Sequence, residues 1–480
     1  MQSIHTLLRQ CFFVVATIGL VSLAGCDDED PPLADNVVQF DAAELGFGAD
    51  EDDLTVNISL SRTATEDTNI TLATELVGVT YDEEFITEPA MTGNTLVVPV
   101  SKGSDVASFI IRKKEGVLLD GDEQVSFAIS NAGSLVAGSK TTLVVSFSEI
   151  VAAEGVVNPN VGGQLQPNKV FIDLSANRQV SFNRGDWDLG FYTVGDEFRV
   201  IVNSSSSMMV RPTEKNDMNA VTEADTVGWG AQLSTDGVFA AMISGTPPAW
   251  LPDAIDWIDD PSGDMSKTAI AEISDNADDN KVYIINRGKN PDGNERGWKK
   301  VRVLRNGNNY TLQHADINAT TFTTVEVTRN DSYYFNYVKF ETGAVTIEPE
   351  KNKWDIAFTV FTNTTSLGGG ITVPYVFNDI VIQNRYKVET AEVLIADVGA
   401  YADFEAAGLD GVIFSQNQVN IGPNWRSGGG PSSSPALRSD RFYLVKDPDG
   451  NIYKLQFTAL TQGGERGRPQ FEFALVQAAE

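Results

Sequence analysis

Lys169-Val-Phe-Ile-Asp-Leu-Ser-Ala-Asn-Arg-Gln-Val-Ser-Phe-Asn-Arg-Gly-Asp-Trp187-Asp188-Leu-Gly-Phe191 is met a second time, altered but in the same order, as Tyr337-Val-Lys-Phe-Glu-Thr-Gly-Ala-Val-Thr-Ile-Glu-Pro-Glu-Lys-Asn-Lys-Trp354-Asp355-Ile-Ala-Phe358. In each stretch a strand is followed by a short polar turn and a second strand piece, Gln179 to Phe182 or Ala344 to Ile347. A polar run then leads into Trp-Asp-aliphatic-small-Phe. The echo continues as Tyr310-Thr-Leu-Gln-His314 and Tyr453-Lys-Leu-Gln-Phe457. Three features in a shared order indicate a duplication, with copies over 169–330 and 331–480.

Working outward, the chain of 480 residues carries a formal net charge of -31. No basic cluster relieves it, which argues against nucleic acid as a partner and against adsorption to an anionic bilayer. The 41 glycines, with abundant Ser, Thr and Asn, predict turns between short strands rather than long helices.

The N-terminal segment, 1–25, reads as a lipoprotein signal peptide. Arg9 precedes an apolar stretch, 11–25, that is short for a membrane span. It ends in Leu23-Ala24-Gly25-Cys26, which resembles the bacterial lipobox and implies cleavage before Cys26 and acylation there. The alternative is ordinary cleavage with Cys26 incidental. Asp27-Asp28-Glu29-Asp30 begins an acidic tether, 26–36, and resembles a surface-export signal of Bacteroidetes lipoproteins. With Cys11 removed and Cys26 acylated, the mature chain has no thiol for a disulfide, a thiolate metal site or a nucleophile.

From 37 to 151 short alternating runs predict a β-sandwich: 54–60, 95–100, 106–111, 124–129 and 141–147. Residues 152–168 read as a linker. Alternation predicts strands at 198–202, 238–243, 281–285 and 298–304, and Met242 on the second of these reads as core. A loop rich in proline, from Pro247 to Pro261, carries Trp250 and Trp257. Asp449-Gly450 between two alternating runs predicts a hairpin over 442–457, and 401–407 reads as helical. The fold class is therefore all-β.

The sandwich resembles the Calx-β type through Asp50-Glu51-Asp52-Asp53, the 95–100 strand with Lys102-Gly103, and Asp120-Gly121-Asp122-Glu123. That resemblance implies calcium at Asp120, Asp122 and Glu123, oxygen ligands of suitable hardness. Asp-Gly-Asp is equally good turn chemistry. Both duplicated units resemble the HmuY family of Bacteroidetes lipoproteins. The resemblance rests on Trp187-Asp188-Leu-Gly-Phe191, Trp354-Asp355-Ile-Ala-Phe358, Asp449-Gly450-x-x-Tyr453-Lys-Leu-Gln-Phe457 and the segment Gly467 to Pro469. It implies β-rich haemophores that take haem from host proteins and hold it by two axial histidines or methionines.

The donors available for haem are few. No His, Met or Cys lies beyond residue 314, so only a tyrosine such as Tyr375 or Tyr401 would serve in the second copy. The first copy offers Met208 and Met209 after four serines, with Met218 or Met265 for a second ligand. His314 aligns with Phe457 and reads rather as a core histidine. Trp187 and Trp354 are expected to pack beneath their sheets, and Asp188 and Asp355 to accept hydrogen bonds from a turn or an arginine. No nucleophile elbow, Walker loop or zinc-protease motif is present, and an enzyme is not expected. These readings converge on a lipid-anchored outer-membrane protein exposed at the cell surface. It is expected to bind a host protein, an outer-membrane receptor or a glycan without catalysis. Haem capture by the first copy is one alternative and a structural or adhesive role another; Trp250, Trp257 and Trp425 offer a platform for sugar stacking or serve equally as loop anchors.

Overall fold

The computed structural model describes residues 35–479, apart from 49–50, 115–122, 149–150, 367–369, 429–434 and 463. The lipobox, Cys26, Asp120 and Asp122 lie outside the described residues. Asn36–Glu480 forms one compact unit, and its described residues are built of β-strands in six sheets. No helix among them is long and apolar enough to cross a membrane.

The N-terminal part is a sandwich of two five-stranded sheets. Asp53–Leu60 shows how alternation makes it: Leu54, Val56, Ile58 and Leu60 point inward, and the residues between them face out or lie at the margin. Thr95–Val100 does the same with Leu96, Val98 and Val100, leaving Pro99 on the outer face. Both inner faces share one core containing Phe40, Phe47, Phe85, Phe109 and Phe127.

The duplicated region forms four sheets around two main cores. One core holds Leu189, Phe191, Tyr310 and Leu312, and the other Ile356, Phe358, Tyr453 and Leu455. The strand pairing crosses the sequence boundary between the copies. The first hairpin, Asn168–Asp173 with Arg178–Asn183, pairs not with Leu189–Tyr192 of its own copy but with Ile356–Thr365 of the other. Reciprocally, the second hairpin, Phe335–Lys339 with Gly343–Val345, pairs with Leu189–Tyr192. Each copy thus lends its opening hairpin to its partner. Alternation along a strand fixes which face is buried and is blind to which neighbour buries it.

Two local readings change. Residues 238–242 lie in an α-helix, Thr235–Met242, with Ile243 as its C-cap, and not in a strand. Ser234 caps it by accepting from the Gly237 N–H at 3.3 Å, and Val238-Phe-Ala-Ala-Met is compatible with either period. Residues 401–409 form short 3-10 turns, Tyr401–Asp403 and Ala406–Leu409. Glu154–Val157, at the start of the expected linker, is an edge strand paired with Phe471–Ala474. The Asp-Gly hairpin is present: Arg441–Lys446 pairs with Ile452–Gln462. Asp447 Oδ1 accepts from the N–H groups of Asp449, Gly450 and Asn451, and Gly450 takes a φ of 104°.

Candidate functional site

The repeated Trp-Asp motif is the fastening of the exchanged hairpins, residue by residue. The tryptophan stands edge-on to an aromatic ring of the borrowed hairpin, Trp187 to Tyr337 at 4.9 Å and Trp354 to Phe171 at 4.9 Å. The small residue lies directly opposite that ring, Gly190 to Tyr337 and Ala357 to Phe171. A Cβ on Gly190 would come within 2.8 Å of Ile201 and 3.0 Å of Tyr337. The aliphatic residue and the phenylalanine point to the opposite side, into the core of their own copy.

The aspartate closes the turn of the borrowed hairpin. Asp188 Oδ2 accepts from the Phe340 N–H at 2.8 Å, and Asp355 Oδ2 from the Leu174 N–H at 2.7 Å. The expectation of a turn or an arginine is met by both at Asp188. Arg287 donates to it through Nε at 2.8 Å and Nη2 at 3.0 Å, and Arg296 through Nη2 at 2.8 Å. Burial alone would lower the Arg287 pKa, but its hydrogen bonds to Asp188 and Glu341 hold it above the ordinary value. Asp355 has the turn alone. Its burial, and then the neighbouring Asp173 carboxylate, raise its pKa well above the usual range.

A second pair of residues completes the fastening, and motif reading missed it. Asn203 Nδ2 donates to the carbonyls of Arg184 and Trp187, both at 2.9 Å, and Asn384 Nδ2 to those of Lys351 and Trp354, both at 2.8 Å. The signal was there, since Val200-Ile-Val-Asn203 and Val381-Ile-Gln-Asn384 repeat Val-Ile-x-Asn.

Two concavities flank these motifs. An open one of about 550 Å³ is lined by Asn183, Asp186, Arg287, Asp292, Arg296 and Glu341, among others. A small one, about 40 Å³, lies between the two copies and is lined by Trp187 and Trp354 together with Lys169, Tyr337, Glu348 and Arg385. Lys169 is 8 % exposed, and burial pushes its ammonium down to about 8. Glu348 accepts from Tyr337 Oη at 2.6 Å, and burial raises its carboxyl.

The residues proposed for haem are placed apart. Met208 and Met209 are both fully buried and face opposite ways, as neighbours in extended chain do, into two different cores. Met218 is buried in the same core as Met209, and Met265 Sδ accepts from Arg385 Nη1 at 3.1 Å. His314 is 5 % exposed and stacks on Phe340 at 4.8 Å, and burial lowers its pKa. Its Nε2 has no hydrogen-bond partner among the described residues. Met208, Met209 and Met218 are thus taken up in apolar packing and Met265 in a contact with Arg385, which leaves His314 as the donor with an unengaged ring nitrogen among the described residues.

The aromatic candidates are also accounted for. Trp425 is fully buried, its ring stacked on Phe457 at 4.4 Å and its Nε1 donating to the Asp379 carbonyl at 3.0 Å, which corrects its place in a sugar platform. Trp250 and Trp257 stack at 6.0 Å. Trp257 is covered by Arg211, whose guanidinium lies between it at 4.6 Å and Trp229 at 4.1 Å. Met242 is half-buried against the same core. Glu123 is buried, and no group of three or more His, Cys, Asp or Glu among the described residues could hold a metal ion.

Comparison with known proteins places this geometry. No curated protein matches the chain. Among solved structures, the Calx CBD1 domain in its apo form is 11% identical, over 24% of this chain and 96% of that one, with a TM-score of 0.20. Apo PinO from Porphyromonas gingivitis is 15% identical over 33% and 87%, with a TM-score of 0.13. A putative carbohydrate binding protein from Bacteroides ovatus is 9% identical over 92% and 98%, with a TM-score of 0.17. Such scores carry no argument about fold or function. The family described as "HmuY protein" matches twice, over residues 165–323 and 329–473, and so takes in both Trp-Asp motifs. The chain belongs to the HmuY family.

Proposed function

We propose that the protein is a non-enzymatic binding protein, held at the outer membrane by lipid on Cys26 and exposed at the cell surface. The observation that carries this reading is the family match over both copies, joined to what the motif carboxylates do. Asp188 and Asp355 are consumed in holding backbone and arginine, which suits a scaffold and not acid–base chemistry. The N-terminal sandwich, of proposed Calx-β type, sets the two copies off from the anchor. Calcium at Asp120, Asp122 and Glu123 belongs to the same proposal and is tested by calorimetric titration of the mature protein. Ligand classes for the open cavity are a glycan, a host protein or an outer-membrane receptor, since its lining alternates carboxylates, amides and cations.

Haem capture by the first copy is the second reading, and the family match favours it over other ligand classes. The donor that would serve is His314, through its unpartnered Nε2. The buried methionines do not fit the axial pair that the resemblance implies. A haemin titration of the mature protein, followed by visible absorbance in both oxidation states, decides. A saturable shift to a histidine-ligated haem spectrum at one haem per chain, lost in His314→Ala, establishes capture. A spectrum identical to free haemin removes it and leaves the glycan and protein classes, to be sought on an immobilised glycan panel and with purified receptors.

A further inference from the structure

The small cavity between the copies sits where the duplication brings equivalent residues face to face. Trp187 and Trp354 both line it, as do Ile201 and Ile382, which stand two places before Asn203 and Asn384. Lys169 reaches it on the first hairpin, and Arg385 follows Asn384.

Its polar inventory is unbalanced. The Lys169 ammonium makes no hydrogen bond with any described residue and rests 4.5 Å from the Phe171 ring and 5.8 Å from that of Trp354. The indole N–H groups of Trp187 and Trp354 are buried and have no hydrogen-bond partner among the described residues. Arg385 spends Nε on Gln418 and Nη1 on Met265. The acceptor left unused on a charged lining group is Glu348 Oε1. Unused donors therefore outnumber unused acceptors, and two cations face one carboxylate. Leaving two buried indole N–H groups unmatched, beside an ammonium that rests on rings and on the charge of Glu348 alone, is costly, and a guest that accepts from them removes the cost.

We infer that this cleft binds a small anion, of chloride or formate size, which accepts from Lys169 and from the tryptophans of both copies and so ties the copies together. The space admits nothing larger: at about 40 Å³ it exceeds the roughly 10–15 Å³ that one water requires but holds only a few such units. The site is independent of whatever the open cavity or His314 binds.

The test uses the mature protein at constant ionic strength, chloride or formate being exchanged for gluconate, which is too large for the cavity. The thermal midpoint is expected to rise with chloride and to saturate. The protein should also broaden the chloride-35 NMR line in excess of bulk. Lys169→Met, which keeps the length of the side chain, should abolish both effects. Trp354→Phe, which removes one N–H and keeps an aromatic ring, should raise the half-saturating concentration roughly tenfold. A wild-type midpoint indifferent to chloride and formate, with a chloride line no broader than that of a lysozyme control, overturns the inference and leaves a cavity of water. Equal chloride responses in wild type and in a folded Trp354→Phe variant overturn it as well.

Discussion

Asp355 holds the backbone N–H of Leu174 at 2.7 Å, although 181 residues separate the two and they belong to different copies of the repeat. Its counterpart, Asp188, holds Phe340 across 152 residues. One side-chain type, at one motif position, does the same work twice. The surroundings differ, and several measurable differences result.

Asp188→Ala should destabilise far more than Asp355→Ala. Removing Asp188 leaves Arg296, its side chain 3 % exposed, without an ion-pair partner among the described residues, and Arg287, 7 % exposed, with Glu341 alone. Stranding buried charge costs roughly 3–5 kcal/mol. Removing Asp355 strands one backbone N–H, at about 1–3 kcal/mol. Urea unfolding of both variants gives the comparison, and equal losses would contradict the distinct environments assigned here.

Phe171→Ala should loosen the second copy, although Phe171 lies in the first. Its ring is buried against Trp354, and its removal costs about 3–5 kcal/mol. Limited proteolysis should then cut first within 356–383, which holds the strand that the first hairpin pairs with and that strand's neighbour. Cleavage confined to residues before 330 would speak against the exchange.

The Lys169 ammonium, depressed by burial to about 8 from 10.5, gives a pH signature. The unfolded chain holds the proton more tightly, so between about 8 and about 10.5 it binds more protons than the fold does. Stability therefore rises with pH across that window, by on the order of 3 kcal/mol at most. Below pH 8, in gluconate buffer without chloride or formate, the full penalty of the buried charge is present. Glu348, Tyr337 and Arg385 face the same cavity and set the slope with it. Lys169→Met should flatten the rise in denaturant titrations at pH 8, 9 and 10.

His314→Phe should be tolerated within about 1.5 kcal/mol, because the second copy already carries Phe457 at that position and the stack on Phe340 survives. Burial lowers the His314 pKa, so protonation opposes folding and wild type loses stability as pH falls below about 6.5. The variant should lack that loss, and paired thermal melts at pH 5 and 7 check it.

What could be read from the chain followed from how local the cause was. Leu54, Val56 and Ile58 announce a half-buried strand by themselves, and Asp449-Gly450 announces its own turn. Trp187 and Trp354 were legible as packing residues, and Asp188 and Asp355 as acceptors, because type and spacing repeat. The exchange of hairpins was not legible. Val170-Phe-Ile and Val338-Lys-Phe carry compatible patterns, and each would suit either acceptor strand. Trp425 looked available beside a Gly-Ser loop, yet its burial depends on Phe457, supplied from a distant strand. The helix at 235–242 was missed because five of its residues fit two periods, while the cap at Ser234 was the better guide.

The exchange also sets an order of events for a newly made chain. Strand Asn168–Asp173 leaves the ribosome, or the export channel, long before Ile356–Thr365 exists to receive it. Until then its apolar residues Val170, Phe171 and Ile172 have only the hairpin partner strand beside them. In the first copy, Leu189–Tyr192 in turn has only Val200–Val202 beside it until Phe335–Lys339 emerges. Neither copy can finish alone, so both close together, late, through contacts spanning well over a hundred residues, and such topology folds slowly. A nascent chain arrested between the two Trp-Asp motifs is an adhesive intermediate with open sheet edges, and a secretion pathway that keeps the chain extended until its last strand is across suits this architecture.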